Sequence, residues 1–439
     1  MKTTVSHIWE KLRTSFWFVP GGLVMVFGAI AFLSLAIDDH WGKSVLDWMP
    51  ALKNVSASGV RSLLSTAGTA VLALAGVTFS GTLVALTLAS GQYGSRLLRN
   101  FIRALPNQLA LGVQLGTFVM CLIVLRSVRD FGEGSFIPHI SAFIAFIATV
   151  SSLAVFIFFI HHISTSLEAE RVVGSVYHEL DESIDRLFPT GKSARGEEAE
   201  AEAERDTWDA PDDEFVIRSN LTGYLQAIDV AGLVELVVEQ GPGVRGRVLA
   251  HAGKFVVEGE ALLAIEGGQP ERTGPWLECY IIGIKRTPEQ DFEYHVRQLV
   301  ETALRALSPG INDPFTAMHC IDYLGAALSK VASRRLPDSV HEDAEGIARI
   351  QTRPVSFNSV MGTAFNQLRH TAIDMPDVSM RILEAFANVA SACDCQESRS
   401  AVETHTQLVA SILEKDGLAD IDAESIQERL DRIQTSFRV

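Results

Sequence analysis

From Leu63 to Ala89 the chain reads LLSTAGTAVLALAGVTFSGTLVALTLA, without one charged side chain. A helix of that length exceeds the ~30 Å hydrocarbon core of a bilayer. Lipid offers the backbone no hydrogen-bond partners, so only a helix or a closed barrel can cross it, and a continuous apolar run selects the helix. Gly, Ala, Ser and Thr crowd this run, whereas a helix that faces only lipid is richer in Leu, Ile and Phe. Thr69, Ala73, Gly76 and Ser80 form one ridge at helical spacing, with Thr87 two turns further on. Gly68, Ala75, Thr82 and Ala89 form a second row. Small residues on two faces suit a helix packed on both sides, or one packed on one side and lining a pathway on the other.

Three more apolar runs, Phe16–Ile37, Leu109–Leu125 and Ile140–Ile163, are each long enough to cross. With spans at about 16–37, 63–89, 109–125 and 140–163, residues 1–163 are expected to be an α-helical membrane domain of four transmembrane helices. The basic segment MKTTVSHIWEKLRTS precedes a run too long for a signal h-region, so it reads as the flank of a first span. Arg96, Arg99 and Arg103 follow the second run on one helical face, in a loop without acid. The loops after the first and third runs mix both signs. This bias places both termini in the cytoplasm. The three arginines then either anchor the span or, repeated in an oligomer, ring a cytoplasmic mouth and favour anions. His161 and His162 point about 100° apart on a helix, which suits an interfacial pair better than a shared metal.

The net charge of −16 belongs almost entirely to the chain after Ser164, which argues against nucleic acid as a partner. Five cysteines in no disulfide-framework spacing read as reduced thiols. Leu167, Val172, Val176, Leu180, Ile184 and Leu187 recur at helical spacing, so residues 164–189 are expected to continue span four as a connecting helix. Residues 190–214 hold ten acids against three bases and read as a linker.

Short β-type runs separated by glycines fill 215–286, although Val230–Val238 fits a helical period equally well. The stretch RVLAHAGKFVVEGEALLAI resembles the half-barrel repeat of biotinyl/lipoyl-type hybrid domains, with Gly253 and Gly259 at the positive-φ turns. Lys254 sits in the wrong part of that repeat for a swinging arm, so a small β module without a prosthetic group is expected. Residues 287–439 then read as a helical bundle, making the C-terminal region α+β. Thr287-Pro288-Glu289-Gln290 looks like a capping box opening its first helix. Later helices are expected at about Pro314–Arg334, Ser339–Thr352, Phe357–Ile373, Pro376–Ala392, Glu397–Leu413 and Glu424–Phe437. Between the first two, Ser308-Pro309-Gly310-Ile311-Asn312-Asp313-Pro314 is a tight loop with Gly310 as left-handed cap and Asp313 as N-cap. Ser308, Gly310, Asn312 and Asp313 either bind an anion at the helix start or satisfy the loop's own backbone.

The sequence contains no nucleotide-binding loop, HExxH, nucleophile elbow or kinase set, and Cys320, Cys393 and Cys395 lack a second ligand pair at zinc spacing. No enzyme, cofactor or metal is therefore expected. FSGTLVALTLASGQYGSRLLRNF, PHISAFIAFIATVSSLAVFIFFIHHIS, GYLQAID, RTPEQDFEYHVRQLVETALRALSPGINDPFTA and RPVSF together resemble a bacterial family of predicted membrane proteins known only as a domain of unknown function. That resemblance covers nearly the whole chain and implies four spans in a bacterial inner (plasma) membrane and a cytoplasmic domain, with no activity or site residues to transfer. The expected function is an oligomeric membrane channel or pore, with Thr69, Ala73, Gly76, Ser80 and Thr87 lining the pathway. Its partners would be the bilayer, further copies of the chain and a small anion or ion. The alternative is a membrane-anchored sensor or scaffold whose helical domain binds a ligand or protein.

Overall fold

The computed structural model describes residues 17–48, 56–93, 105–129, 136–166, 168–188, 214–334, 336–353, 356–413 and 420–437. It divides into two compact units, Met1–Arg171 and Val172–Val439.

The N-terminal unit is built from α1 (Phe18–Trp48), α2 (Ala57–Tyr93), α3 (Leu105–Ser127) and α4 (His139–Ser166). Each holds a stretch long and apolar enough to cross a membrane: Phe18–His40, Ala57–Gly91, Leu105–Ser127 and His139–Ser166. The central helix is α3 rather than α2. Of the apolar window in α3, 56% is buried, against 17%, 22% and 17% for those of α1, α2 and α4. Glycine makes this possible. A Cβ on Gly116 would stand 2.9 Å from the Phe27 ring, and one on Gly112 would stand 3.0 Å from the Pro20 Cα, so α1 lies directly on the α3 backbone. These contacts run α1 parallel to α3. The Arg61 Nη2 donates to the Val128 carbonyl at 3.0 Å, and Gly68 sits over Cys121, which sets α2 antiparallel to α3.

One end of this bundle is tied by polar groups. Asp38 of α1 accepts from the backbone N–H groups of Ile140 and Ser141 (3.0 and 2.8 Å) and from the Ser141 hydroxyl (2.6 Å). A carboxylate from one helix thus caps the N-terminus of another, where orphan donors and the helix dipole both favour it. Below it lies an apolar core that includes Ala31, Leu64, Met120, Cys121, Val124 and Ala145. At the far end of α4, Ser164, Thr165 and Ser166 donate to the carbonyls of Ile160, His161 and His162 and close the last turn. Helix α4 ends there, and α5 (Ala169–Leu187) is a separate element, so the single continuous helix expected from the sequence is not formed.

The C-terminal unit, from Val172, combines two sheets with a helical bundle. Strands β1 (Phe215–Arg218), β2 (Gly223–Ile228), β3 (Arg245–Val248), β4 (Phe255–Val256), β5 (Ala261–Glu266) and β6 (Tyr280–Gly283) occupy the expected β region. Between them stand α6 (Val230–Gln240), the helical choice for that ambiguous run, and the short α7 (Gly274–Glu278). Asp229 starts α6 by accepting from the Gly232 N–H at 3.0 Å. With β7 (Val340–Glu342) and β8 (Ala348–Gln351) from further along the chain, the sheets are β1-β5-β3-β8-β7 and β4-β2-β6, two open sheets, so the hybrid barrel is not formed among the described residues. Gly253 (φ 87°) and Gly259 (φ 85°) do take the positive-φ turns.

Strands β7 (Val340–Glu342) and β8 (Ala348–Gln351) replace the helix expected over Ser339–Thr352. Asp343 accepts from the N–H groups of Glu345 and Ile347, and Gly346 adopts φ 76°, which turns the chain back on itself. β8 then pairs parallel to β3, burying Ile350 in the same core as Leu233, Val237 and Leu263.

The first bundle helix, α8 (Glu293–Ala306), begins later than the capping box suggested. Gln290 accepts from the Ile228 N–H (2.9 Å) and donates to the Ile228 carbonyl (3.1 Å), clamping the end of β2 instead of capping a helix. Asp291 takes a bidentate contact from Arg286 (2.6 and 2.8 Å). Then follow α9 (Pro314–Ala332), α10 (Phe357–Thr371), α11 (Pro376–Ala392), α12 (Gln396–Leu413) and α13 (Asp420–Ser436). Gly325 meets Ala385 where α9 crosses α11, and the Phe365 and Phe386 rings pack edge to face at 4.8 Å.

Candidate functional site

The two rows of small residues on α2 have separate fates. Leu64, Ala67, Val71, Ala75, Thr78, Ala85 and Ala89 are buried against the other helices. Thr69, Ala73, Gly76, Ser80 and Thr87 are all exposed. At about 100° per residue, this second set is centred almost opposite the buried one. It points straight away from the chain's own bundle. Ser62, Ser65, Thr66 and Gly91 extend the same sector, and a Cβ at Gly76 would meet nothing within 4 Å. Thr69 and Thr87 donate to the carbonyls of Ser65 and Leu83 at 2.9 Å each, so their hydroxyls are satisfied within the helix.

The exposed sides of the neighbouring helices are different. On α4 they carry Phe146, Ile147, Val150, Leu153, Ile157 and Phe158, and on α1 Met25, Val26, Phe32 and Leu33. Those are lipid-like surfaces. On the outward sector of α2 small residues hold the centre line, with Leu83 and Val84 exposed at its edges and Leu72, Val77 and Leu88 exposed beside it. Arg96, Arg99 and Arg103 lie outside the described residues.

The bundle interior holds polar groups that the hydropathy pattern masks. Asn107, Gln108, Gln114 and Thr117 are buried along α3, and the Ser152 hydroxyl of α4 donates to Thr117 at 3.0 Å. The signal in the sequence was a run of amides within an otherwise apolar span. Asp38 was visible only as one charge in a mixed loop.

In the C-terminal unit, the Ser308–Pro314 loop closes on itself. The Asp313 N–H donates to the Ala306 carbonyl (2.8 Å), and its carboxylate accepts from the Thr316 N–H (3.1 Å) and hydroxyl (2.6 Å). Ser308 donates its hydroxyl to the Arg305 carbonyl and its own carbonyl accepts from Ile311 and Asn312. The left-handed residue is Asn312 (φ 51°), not Gly310. Asparagine tolerates this region because its short amide bonds locally. Phe315 stands 73% exposed beside this loop.

A groove of about 1220 Å³ lies between α6 and the β7 hairpin. Val230, Val234 and Val238 face it, with Glu235, Glu239, Glu342 and Glu345 around them. Arg349 backs the hairpin by pairing with Asp343 at 2.7 Å and donating to the Pro242 carbonyl at 2.9 Å. That contact holds the Asp343 carboxyl below its ordinary range. Burial instead raises the thiols of Cys279, Cys320 and Cys393, that of Cys320 to about 12, which keeps them protonated and poorly nucleophilic. Among the described residues, no group of three or more His, Cys, Asp or Glu side chains is placed to hold a metal ion.

Residues 13–388 match the family described as predicted membrane protein (DUF2254). The chain belongs to this family. Its DUF2254 relatives include uncharacterised proteins of Mycobacterium bovis and of Mycobacterium tuberculosis strain H37Rv. Each is 30% identical over 364 residues, covering 81% of this chain and 68% of its own. A further uncharacterised protein of M. tuberculosis, strain CDC 1551, is 29% identical over the same shares. No solved structure matches the DUF2254 chain.

Proposed function

We propose that this membrane protein is a homo-oligomeric channel or pore in which the outward sector of α2 faces other copies of the chain and lines the pathway. One observation carries the reading. A helix in a four-span unit buries one face in its own bundle and centres Ser, Thr, Gly and Ala on the opposite face, flanked by Leu83 and Val84, where α4 centres Phe, Ile and Leu. Small side chains lose little dispersion contact when another backbone approaches closely, and their hydroxyls tolerate water. Repeated around an axis, Thr69, Ala73, Gly76, Ser80 and Thr87 would supply a narrow, weakly polar lining. The mycobacterial relatives support a bacterial inner-membrane location and the charge bias of the loops supports cytoplasmic termini, so that Arg96, Arg99 and Arg103 would stand at the inner mouth and favour anions. In this reading the protein moves ions and performs no chemistry on them.

Planar-bilayer recording of the purified protein tests this. Discrete conductance that Gly76→Leu or Ser80→Leu abolishes is the expected result, and silence under voltage, tension and varied ions overturns it. Arg96→Glu with Arg99→Glu should shift the reversal potential toward cations. A second reading, a membrane-anchored scaffold or sensor, is favoured by the acid-rimmed apolar groove of the C-terminal unit, whose chemistry suits a cationic amphipathic partner.

A further inference from the structure

Gln114 is 0% exposed, and among the described residues neither its amide oxygen nor its amide nitrogen has a hydrogen-bond partner. The same holds for the Thr78 hydroxyl of α2, in a residue 1% exposed. Both lie near the middle of their spans, Leu105–Ser127 and Ala57–Gly91. The Arg61–Val128 and Gly68–Cys121 contacts fix the register of α2 against α3, and extending it puts Thr78 about one turn from Gln114. Side chains lean toward the N-terminus of their own helix. Because these helices are antiparallel, the two side chains lean toward one another.

An amide left dry at this depth carries a desolvation penalty of several kcal/mol. A buried water makes about three hydrogen bonds, and the two side chains carry three unpartnered atoms. We propose that Gln114 and Thr78 hold a water molecule at mid-membrane inside each protomer's own bundle. Gln114 Oε1 and Nε2 supply an acceptor and a donor, and the Thr78 hydroxyl supplies either. The neighbouring Thr117–Ser152 pair continues the polar side of the site, and the apolar cluster around Met120 and Val124 closes it on the other. Among described residues in the span interiors no charged side chain adjoins the site, so its chemistry is that of a neutral hydrogen-bonding molecule. This site goes beyond the oligomer axis invoked above, and its test needs no conduction.

The experiment is a double-mutant cycle on the full-length protein in nanodiscs, read by thermal unfolding, with Gln114→Leu, Thr78→Val and the pair. A shared water predicts that each single substitution lowers the midpoint and that the pair lowers it by less than the sum. A raised or unchanged midpoint in either single variant, or additive losses, overturns the proposal. Radiolytic hydroxyl-radical labelling of the unsubstituted protein provides a reading that does not depend on variants folding. Bound water is the local radical source, so Leu111 (4% exposed), one turn from Gln114, should label several-fold more than Leu64 (1% exposed) in the apolar cluster. Equal labelling of the two leucines overturns it as well.

Discussion

Gly116 and Gly76 are both glycines within uncharged membrane spans, and the molecule uses them in opposite ways. A Cβ at Gly116 would strike the Phe27 ring at 2.9 Å, while one at Gly76 would meet open space. The first glycine lets a helix of the same chain approach. The second lies on a surface that no other described residue of this unit covers. A small residue in a span therefore permits close approach, and which face of the helix it occupies decides whether a helix of the same chain makes that approach.

The contrast can be broken by substitution. Gly116→Leu should be the most damaging change, because overpacking against the aromatic ring of Phe27 costs about 1–3 kcal/mol or more. Its thermal midpoint in detergent should fall well below that of the parent; an unchanged midpoint would show that α1 does not lie on α3 as described. Asp38→Ala comes next. It removes three hydrogen bonds from the start of α4 and should cost about 1–2 kcal/mol, with faster hydrogen exchange at Ile140 and Ser141. Gly76→Leu should leave protomer stability within about 0.5 kcal/mol, since it fills open space, yet change cross-linking between copies. If it destabilises the monomer instead, the outward assignment of α2 fails.

The smallest effect is a pH dependence confined to the C-terminal unit. Burial lowers the pKa of His295 and of His405, so both are neutral when folded. A base with a depressed folded pKa contributes stability above its unfolded value of about 6.5, and this is lost as pH falls toward the folded value. Acidification below about 6.5 should therefore lower the unfolding midpoint of this unit, and His405→Phe should flatten part of that slope.

Much of this was readable from residues in order. The four spans followed from uncharged length, and Gly253, Gly259 and the Asp313 cap followed from local turn and capping chemistry. Long-range choices were not readable. Thr287–Gln290 has the letters of a capping box, but Gln290 finds a better partner in the unpaired end of β2. Residues 339–352 fit a helical period, yet the open side of β3 and the Asp343 turn make a strand pair more favourable. On α2 the ridges were visible, but which of them faced inward depended on α3. Gln114 was visible as a polar interruption and invisible as an unpaired one.

The parallel pairing of β3 with β8 has a consequence for how the C-terminal unit is made. Gly246 registers with Ile350 only after α8 and α9 have been synthesised and folded back between them. The sheet therefore has high contact order, and its edge at β3 stays open until late in folding. A fragment ending before β7 would present that edge to other chains and should aggregate, whereas one reaching past Gln351 closes it. The β3–β8 pair thus brackets α8 and α9 in sequence and ties them to the sheet.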